Sequence, residues 1–491
     1  MKNALKASFA LAAAACLAGC SSYSSDAGKL RESWRAGDFR AAAEISGKAL
    51  ADAGESDSLV WSLDRASALR ASGESAAAAA EFDRAAETVG MWEEKPETLL
   101  SREALAALTD PSALPYRGRG SDVIMLHTYR ALGFLEAGNP DAARTALNAA
   151  YEAQRDALEK NAAAIEKARE EAEESGVKAD ELLRESGMED KLAEQEKNLE
   201  GVRVLADYVN PFTTWLHGVF FLHAGTDASD AERARVSLDR VGKMYPRNPY
   251  VAEDLGFSSS GVPAGTELTY VVFESGLAPT VAETRADTIL PIPTGRGYLT
   301  PTPVSVALPK LVLDPGRRYW CVFPFAGGAY PPGDAAPEAV PAMSADGVPA
   351  SEICDMNSVV RTDFDNAYPA ALTRALVTAF LKSASSAAIN AVGIEYARRD
   401  GGAAAALVSL ATMVGTSVYA YVSTAADVRC WQTLPQNFSV ARLRTPESRR
   451  ILVRVGGRSR EVGLLPGKVN LVLVKSTGEN GPLVVTQAVL K

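Results

Sequence analysis

The first half of the chain places apolar residues at helical spacing, in blocks that repeat at similar offsets. Each block has two helical stripes of small and larger apolar residues, and a glycine lies between the first stripe and the second. These glycines are Gly37, Gly73, Gly138 and Gly225, and the fourth block resumes after a four-residue insertion and ends at Pro246. Glycine ends a helix readily because it adopts the left-handed conformation, whereas proline stops one. Each block therefore predicts a helix–turn–helix unit.

The offsets of these blocks resemble the tetratricopeptide repeat. The resemblance covers residues 29–256 and implies an all-α array, in which helix pairs stack because one pair alone cannot bury its apolar face. An unrelated alanine-rich helical bundle is the alternative interpretation. A repeat array of this kind binds an extended peptide or a helix in a concave groove. The candidate groove residues are His127, Tyr129, Trp215 and Phe221, and ordinary packing is the alternative for each.

A segment dense in charge, residues 152–207, interrupts the array. Leu158 and Ile165 stand seven residues apart, which is the spacing of a coiled coil. We predict two helical arms that turn near Gly176 or Gly187 and project as a coiled-coil hairpin, a contact arm for a partner. The alternative is a long solvated helix face.

The periodicity then changes to that of strands. Residues 268–273 and 318–323 are rich in valine, tyrosine and phenylalanine, and proline and glycine punctuate the span between them. We predict a β-rich domain at 257–330. Residues 331–362 carry several prolines and predict a linker or exposed loop.

Two further helical stretches form a predicted helical pair at 363–427. The second stretch has no charged residue from 401 to 426, and its alanine, serine, threonine and glycine suit close packing. A helix buried between domains is the preferred interpretation, and a helix against a membrane or a partner is the alternative. Residues 428–491 return to short strands separated by glycine and proline turns, typical of a C-terminal β domain. The predicted fold class is α+β multidomain: an all-α TPR-like repeat array with a coiled-coil-like insertion, then β-rich domains with an intervening helical pair.

The N-terminus has the layout of a secretory signal. Lys2 and Lys6 precede an apolar run at 7–17, and small residues lead directly into Cys20. This resembles a lipobox, which implies a signal peptide at 1–19, an acylated Cys20 as the membrane anchor and a polar tether at 20–28. The residue after Cys20 is not aspartate, and this favours the outer membrane, with the mature chain on the periplasmic side. An ordinary secretory signal is the alternative.

Charge and cysteine content limit the partners. The chain has 61 acidic and 51 basic residues, a net charge of −10, and loss of the signal lysines would make it more acidic. This argues against nucleic acid, because phosphate binding needs a basic surface. One disulfide is plausible in the oxidising periplasm. Cys321 and Cys354 would close the shortest loop, although pairing with Cys430 stays open.

Motifs that carry chemistry are scarce. The sequence contains no phosphate-binding glycine loop, no HExxH and no CxxC, so we predict no metal and no cofactor. Cys430 reads as a buried free thiol or half of a disulfide rather than as a reactive thiol. Glu274, in a Phe-Glu-Ser-Gly segment, reads as a solvated acid on a turn, with a functional site as the alternative. We therefore expect a protein that is not an enzyme.

Five stretches in a fixed order resemble a family of conserved but functionally uncharacterised lipoproteins of Gram-negative bacteria with N-terminal tetratricopeptide-like repeats. These stretches are residues 116–118, 125–129, 210–212, 271–279 and 427–435. The resemblance implies an envelope protein without established activity. Members are sometimes encoded beside lipoproteins that activate peptidoglycan synthases, which is a hint about the process alone.

The expected function is a protein-interaction scaffold in cell-envelope assembly, such as peptidoglycan synthesis or export, held to the outer membrane by its lipid. Two alternatives are a structural component of a secretion or surface-polymer apparatus and an enzyme that acts on the cell wall or a glycan. The enzyme would need a cleft with two placed carboxylates, and the sequence does not identify one.

Overall fold

The computed structural model describes most of the predicted mature chain. The described residues are 23–94, 114–176, 179–205, 209–294, 298–314, 321–324, 347–422, 424–455, 458–477 and 481–491. Three predicted features lie outside them: Cys20, the signal at 1–19 and residues 331–346 of the linker. The fold is mixed α+β, as predicted, with helices dominating the N-terminal half and sheets formed by the C-terminal part.

The N-terminal half consists of consecutive helices joined by short turns. They are α1 (23–36), α2 (Phe39–Asp52), α3 (Gly54–Ser72), α4 (Ser75–Glu94), α5 (Gly120–Glu136), α6 (Pro140–Ser175), α7 (Ala179–Glu185), α8 (Met188–Asn198), α9 (Pro211–Ala224), α10 (Ala228–Met244) and α11 (Pro249–Ser260). Helix α1 begins inside the predicted tether. The tether prediction is wrong from residue 23 onward, because Tyr23 is buried and its hydroxyl donates to the Cys430 carbonyl at 3.1 Å.

Local sequence signals explain where these helices begin and end. Helices α6, α9 and α11 all start with asparagine followed by proline, and the Asn139 and Asn210 side chains accept a hydrogen bond from a backbone N–H in the first turn. Such caps satisfy donors that the helix itself cannot pair. Gly73 ends α3 with a φ of 90°, which glycine alone adopts without strain.

The helix pairs pack closely where one partner carries a small residue. At Gly218, on α9, an added Cβ would lie 2.9 Å from Cγ of Leu238 on α10. A methyl group would therefore push the two helices apart. This is the kind of close crossing that the repeating small residues predict.

The strands form two sheets and a long hairpin. They are β1 (Leu268–Ser275), β2 (Thr280–Thr294), β3 (Tyr298–Val312), β4 (Cys321–Pro324), β5 (Gly347–Pro349), β6 (Ser351–Asp355), β7 (Asn437–Arg444), β8 (Arg450–Val455), β9 (Arg458–Gly463), β10 (Val469–Ser476) and β11 (Val484–Val489). The larger sheet has the order β11-β10-β1-β7-β6, and the smaller one β5-β4-β8-β9. Strands β2 and β3 pair along their whole length.

The two predicted β domains, 257–330 and 428–491, do not form separate sheets. Strand β1 from the first lies between β7 and β10 of the second, antiparallel to β7 and parallel to β10. All eight residues of β1 are buried, as are those of β10. A strand that is covered on both faces is a continuous apolar run, so β1 needs neighbours that its own segment of sequence does not supply.

The sheet and the helical array share one hydrophobic core. The ring of Phe212, on α9, stacks on that of Phe438, on β7, with centroids 3.9 Å apart. Trp215 meets Tyr270 of β1 edge to face, with centroids 5.9 Å apart. The N-terminal helices are therefore part of the same folded body as the large sheet.

The charged segment 152–207 is helical, as predicted, but it does not project. Helix α6 runs without a break to Ser175 and ends at Gly176, which is left-handed. Beyond the turn, Met188 of α8 is buried against Val306 and Leu308 of β3 and against Leu376 of the long C-terminal helix Met356–Asp400. The arm returns to the protein because this apolar stripe has a partner surface in the β2–β3 hairpin.

The C-terminal helical pair begins earlier than predicted. Helix α12 (Met356–Asp400) starts seven residues before 363, and strands β5 and β6 occupy residues that were assigned to the linker. The Asp355 side chain caps α12 by accepting from the backbone N–H of Asn357. Helix α13 (Ala403–Val422) follows and packs on α12.

Helix α13 is not the buried helix that the sequence favoured. Leu407 is 65% exposed and Leu410 is 58% exposed. Among the described residues, one helical segment, Met356–Arg399, is long and apolar enough to cross a membrane, and 44% of its most apolar window is buried in the protein. Helix α13 contains a shorter apolar segment, Ala405–Tyr421.

Candidate interaction groove

Three of the four predicted contact residues belong to the core. Tyr129, Trp215 and Phe221 are each at most 2% exposed, so they offer almost no surface to a partner, whereas His127 is half-buried. The error has a physical origin. Aromatic residues at helical spacing mark the packed face of a helix pair as readily as its binding face.

A groove does lie beside His127, between α4 and α5. It is shallow and partly open to solvent, and its interior volume of about 10 Å³ would hold about one water molecule. The floor is formed by Phe82, Tyr129 and the side chain of Arg70. The rim carries Arg130 and Phe134 from α5, together with Asp83 and other residues of α4.

The rim is a compact polar and aromatic group. Arg130 Nε donates to Asp83 Oδ1 at 2.8 Å, and its guanidinium lies 5.7 Å from the ring centroid of Phe134. His127 Nδ1 is 3.4 Å from Arg130 Nη1. Burial, together with the positive charge of Arg130, lowers the pKa of His127 to about 4. This histidine is therefore neutral at neutral pH and offers a ring, not a charge.

Beneath the groove floor lies a buried cluster of charges around Glu274. Arg70 Nη1 donates to Glu274 Oε1 at 2.8 Å, and Lys475 Nζ contacts Oε2 at 2.8 Å. The Tyr129 hydroxyl donates to Oε2 at 3.0 Å. The carboxylate of Glu274 is thus held by two cations and a phenol.

Glu136 completes this cluster at its outer edge. Its Oε1 accepts from Arg70 Nη2 at 3.1 Å and from the Thr486 hydroxyl at 2.7 Å. Two carboxylates therefore face two cations, and the buried charge is balanced. A second shallow cleft also borders Arg70 and is lined by Glu274, Lys475 and residues of β10 and β11.

Glu274 is neither a solvated acid nor a free catalytic group, which corrects the expectation from sequence. Burial alone would raise its pKa, but Arg70 and Lys475 outweigh burial and hold the pKa at about 2. Burial lowers the pKa of Lys475, which its contact with Glu274 partly offsets. The acid stays ionised and fully engaged, so its role is to join the helical array to the sheet.

The partners of Glu274 were missed because they are distant in sequence. Glu274 and Lys475 are register partners across the parallel β1–β10 pair. The sequence does indicate that each needs a partner, because Glu274 and Lys475 both lie in mostly apolar strands, where an unpaired charge would be costly. What sequence does not give is which strand lies beside which.

The segment 427–435, one of the five stretches singled out in the sequence, has no regular secondary structure, and most of it is buried. Its backbone donors are paired by a side chain from α3. Asp64 Oδ1 accepts from the backbone N–H of Gln432 at 3.0 Å, from that of Thr433 at 3.1 Å and from the Thr433 hydroxyl at 2.8 Å. A buried irregular segment needs such partners because it has no ladder of its own.

The predicted disulfide between Cys321 and Cys354 is not formed in this structure. Cys354 is a free, buried thiol on β6 of the larger sheet, whereas Cys321 belongs to β4 of the smaller sheet. Cys430 is also free and buried. Burial raises the pKa of the Cys430 thiol to about 11, so it stays protonated at neutral pH and is a poor nucleophile.

Within the part of the chain that the structure describes, no group of three or more His, Cys, Asp or Glu side chains could hold a metal ion. A scan of protein-family models and searches of the curated proteins and the solved structures give no match to this chain. Function is therefore inferred from the residues and their geometry.

Proposed function

We propose that this chain is an acyl-anchored lipoprotein on the periplasmic face of the outer membrane, where it acts as an interaction scaffold in cell-envelope assembly. The small residues before Cys20, after a basic and apolar leader, support the anchor. The order of the five stretches that resemble a Gram-negative lipoprotein family supports the envelope location. Peptidoglycan synthesis and export are the processes that this resemblance favours.

The helical array supports the scaffold role. Its helices pair in chain order, with small residues at crossings such as Gly218. This pairing supports the tetratricopeptide-like array that the sequence predicts. The observation that carries the proposal is the α4–α5 groove, with the half-buried Arg130 and Phe134 on its rim. A guanidinium over an aromatic ring suits an amphipathic helix or extended peptide that offers an apolar side chain beside an acid.

One observation favours the alternative role, a structural component of a secretion or surface-polymer apparatus. The exposed apolar surface of α13 is larger than a solitary exposed residue would explain. Such surfaces mark contact with a membrane or with another protein.

The double substitution Arg130→Ser with Phe134→Ser tests the scaffold proposal. Both side chains lie on the groove rim, and their loss should remove most of the complexes that a chemical crosslinker captures with this protein in whole cells. Arg235→Ser with Val236→Ser is the matched control, because it also removes an exposed arginine and a neighbouring apolar residue, on α10. Thermal unfolding of each variant establishes that the fold is intact. Unchanged complexes with a folded rim variant would contradict the proposal.

A further inference from the structure

Helix α13 is attached to the protein through one narrow face. Ala405, Thr416 and Ala420 are buried on that face. Gly393 of α12 lies against it, and an added Cβ there would be 3.4 Å from Thr412 Oγ1. Small residues on both helices thus allow a close approach, which leaves most of the circumference of α13 uncovered.

The opposite side of α13 carries a continuous apolar stripe. Its members are Leu407, Leu410, Val414, Val418 and Tyr421, and each is more than half exposed. Steps of three and four residues place them above one another on a helix with 3.6 residues per turn. The stripe extends along about 21 Å of the helix axis.

Helix α12 widens this surface. Ile389, Val392 and Tyr396 are each about half exposed or more, on the helix that packs beside α13. We call the eight residues of the stripe and of this part of α12 the apolar face. So many exposed large apolar side chains on two neighbouring helices are unusual on a protein that meets only water.

Charge is confined to the two ends of the apolar face. No charged residue occurs from 401 to 426. At one end, Glu395 precedes Tyr396, and Arg398, Arg399 and Asp400 follow it, with Arg399 paired to Glu395. At the other end, Arg285 donates to the Tyr421 carbonyl at 2.6 Å, and its guanidinium lies 4.4 Å from the Tyr421 ring centroid.

This arrangement matches the chemistry of a bilayer. Tyrosine is enriched where a protein meets the boundary between hydrocarbon and headgroups, and arginine lies just beyond it. Protein interfaces instead concentrate tryptophan, tyrosine, phenylalanine, methionine and arginine at their centres. The large side chains at the centre of the apolar face are leucine, valine and isoleucine, which hydrocarbon accepts without any specific pairing.

We propose that the apolar face docks on a lipid bilayer, with α13 lying in the membrane plane as a second attachment beside the acyl chain. The proposal rests on the membrane anchoring at Cys20 that is part of the proposed function. If the turn between α12 and α13 entered the bilayer first, it would carry Arg398 and Arg399 into hydrocarbon, which is costly. A helix in the membrane plane keeps both charged ends among the headgroups and buries only its apolar stripe.

The absence of charge along the stripe predicts how docking depends on lipid. Attraction of basic residues to anionic lipid weakens with salt, whereas burial of apolar surface needs no charge on the lipid. Docking should therefore occur on zwitterionic vesicles and persist in high salt, whereas any extra binding to anionic vesicles, from the arginines at the ends of the face, should be lost with salt.

The test places an environment-sensitive fluorophore on the apolar face of the full-length acylated protein. Val414→Cys, in a Cys321→Ser background, is labelled with NBD and reconstituted with phosphatidylcholine vesicles, since Cys354 and Cys430 are buried. We expect a blue-shifted emission that nitroxide lipids quench. Leu407→Cys and Tyr421→Cys should report the same shallow depth. Val236→Cys, an exposed apolar position on α10, is the control and should resemble water.

Each outcome shows whether a bilayer, another protein or water covers the apolar face. A label at 414 with unshifted emission overturns the proposal, as does a blue shift that no nitroxide lipid quenches, since a second protein copy would then cover the face. A label at 414 much deeper than those at 407 and 421 overturns it in favour of a helix that crosses the bilayer. Vesicle flotation is measured first, because protein that does not float reports failure of the proposed anchor, not of the docking face.

Discussion

Replacement of Glu274 by glutamine should lower the free energy of unfolding by about 3–5 kcal/mol, because it leaves the buried Lys475 without a contacting counter-charge and Arg70 with Glu136 alone. Arg70 and Lys475 both contact the Glu274 carboxylate, and each is less than a tenth exposed. Glutamine preserves the size of the side chain, so the effect reports charge and not a cavity. Urea unfolding, followed by circular dichroism, measures the change.

The control for this prediction is an exposed ion pair. Asp239 contacts Lys243 at 2.7 Å on α10, with both side chains largely open to water. Asp239→Asn should cost at most about 1 kcal/mol, because water screens such pairs. If Glu274→Gln proved no more harmful than Asp239→Asn, the cluster would not join the array to the sheet.

Replacement of Asp64 by alanine should cost about 3–5 kcal/mol, since it leaves three buried donors of Gln432 and Thr433 without an acceptor. Asp64→Asn is the matched control. It keeps an acceptor oxygen at the same place, and it should be much closer to the wild type at neutral pH. The same urea measurement compares the two variants. Equal losses in both would contradict the role given to the Asp64 oxygen.

The pH dependence of stability gives a further test of Asp64. Burial raises its pKa to about 8, well above the value of an unfolded aspartate, so the folded protein favours the protonated acid. The contribution of this raised pKa to the free energy of unfolding is complete below about pH 4 and is lost as the pH rises towards 8. In Asp64→Asn this part of the pH dependence should disappear, because the amide does not titrate.

Local signals in the sequence sufficed for the helical array. The Asn-Pro starts of α6, α9 and α11 and the glycine ends of helices act within a few residues of the positions they determine. The charged arm was recognised as helical for the same reason. Its docking on β3 was missed, because an apolar stripe does not identify the surface that covers it.

The sheet could not be predicted in the same way. Strand β1 was recognised from its apolar run, but its neighbours β7 and β10 lie more than 150 residues further along the chain. No local pattern determines such a pairing. The frequent prolines likewise obscured β5 and β6, which are short strands at the edges of their sheets.

Two of the four candidate contact residues, His127 and Tyr129, lie on a helix that borders the groove. His127 lies beside the groove, whereas Tyr129 forms its floor and Trp215 is buried elsewhere in the core. These residues differ in how deeply they are buried, and burial depends on how the helix pairs stack. The rim residues Arg130 and Phe134 follow His127 and Tyr129 on the same helix, so the correct element was identified while the exposed face was not.

A photoreactive amino acid at position 134 tests the central claim most directly, because it reports contact at the groove rim in living cells. Benzoylphenylalanine in place of Phe134 should form a discrete crosslinked product with an envelope protein, and Arg130→Ser should weaken that product. The same probe in place of Val236, on the surface of α10, should give none. A defined product at 134 alone is the predicted result. No product at 134, or equal products at both positions, would contradict the scaffold account.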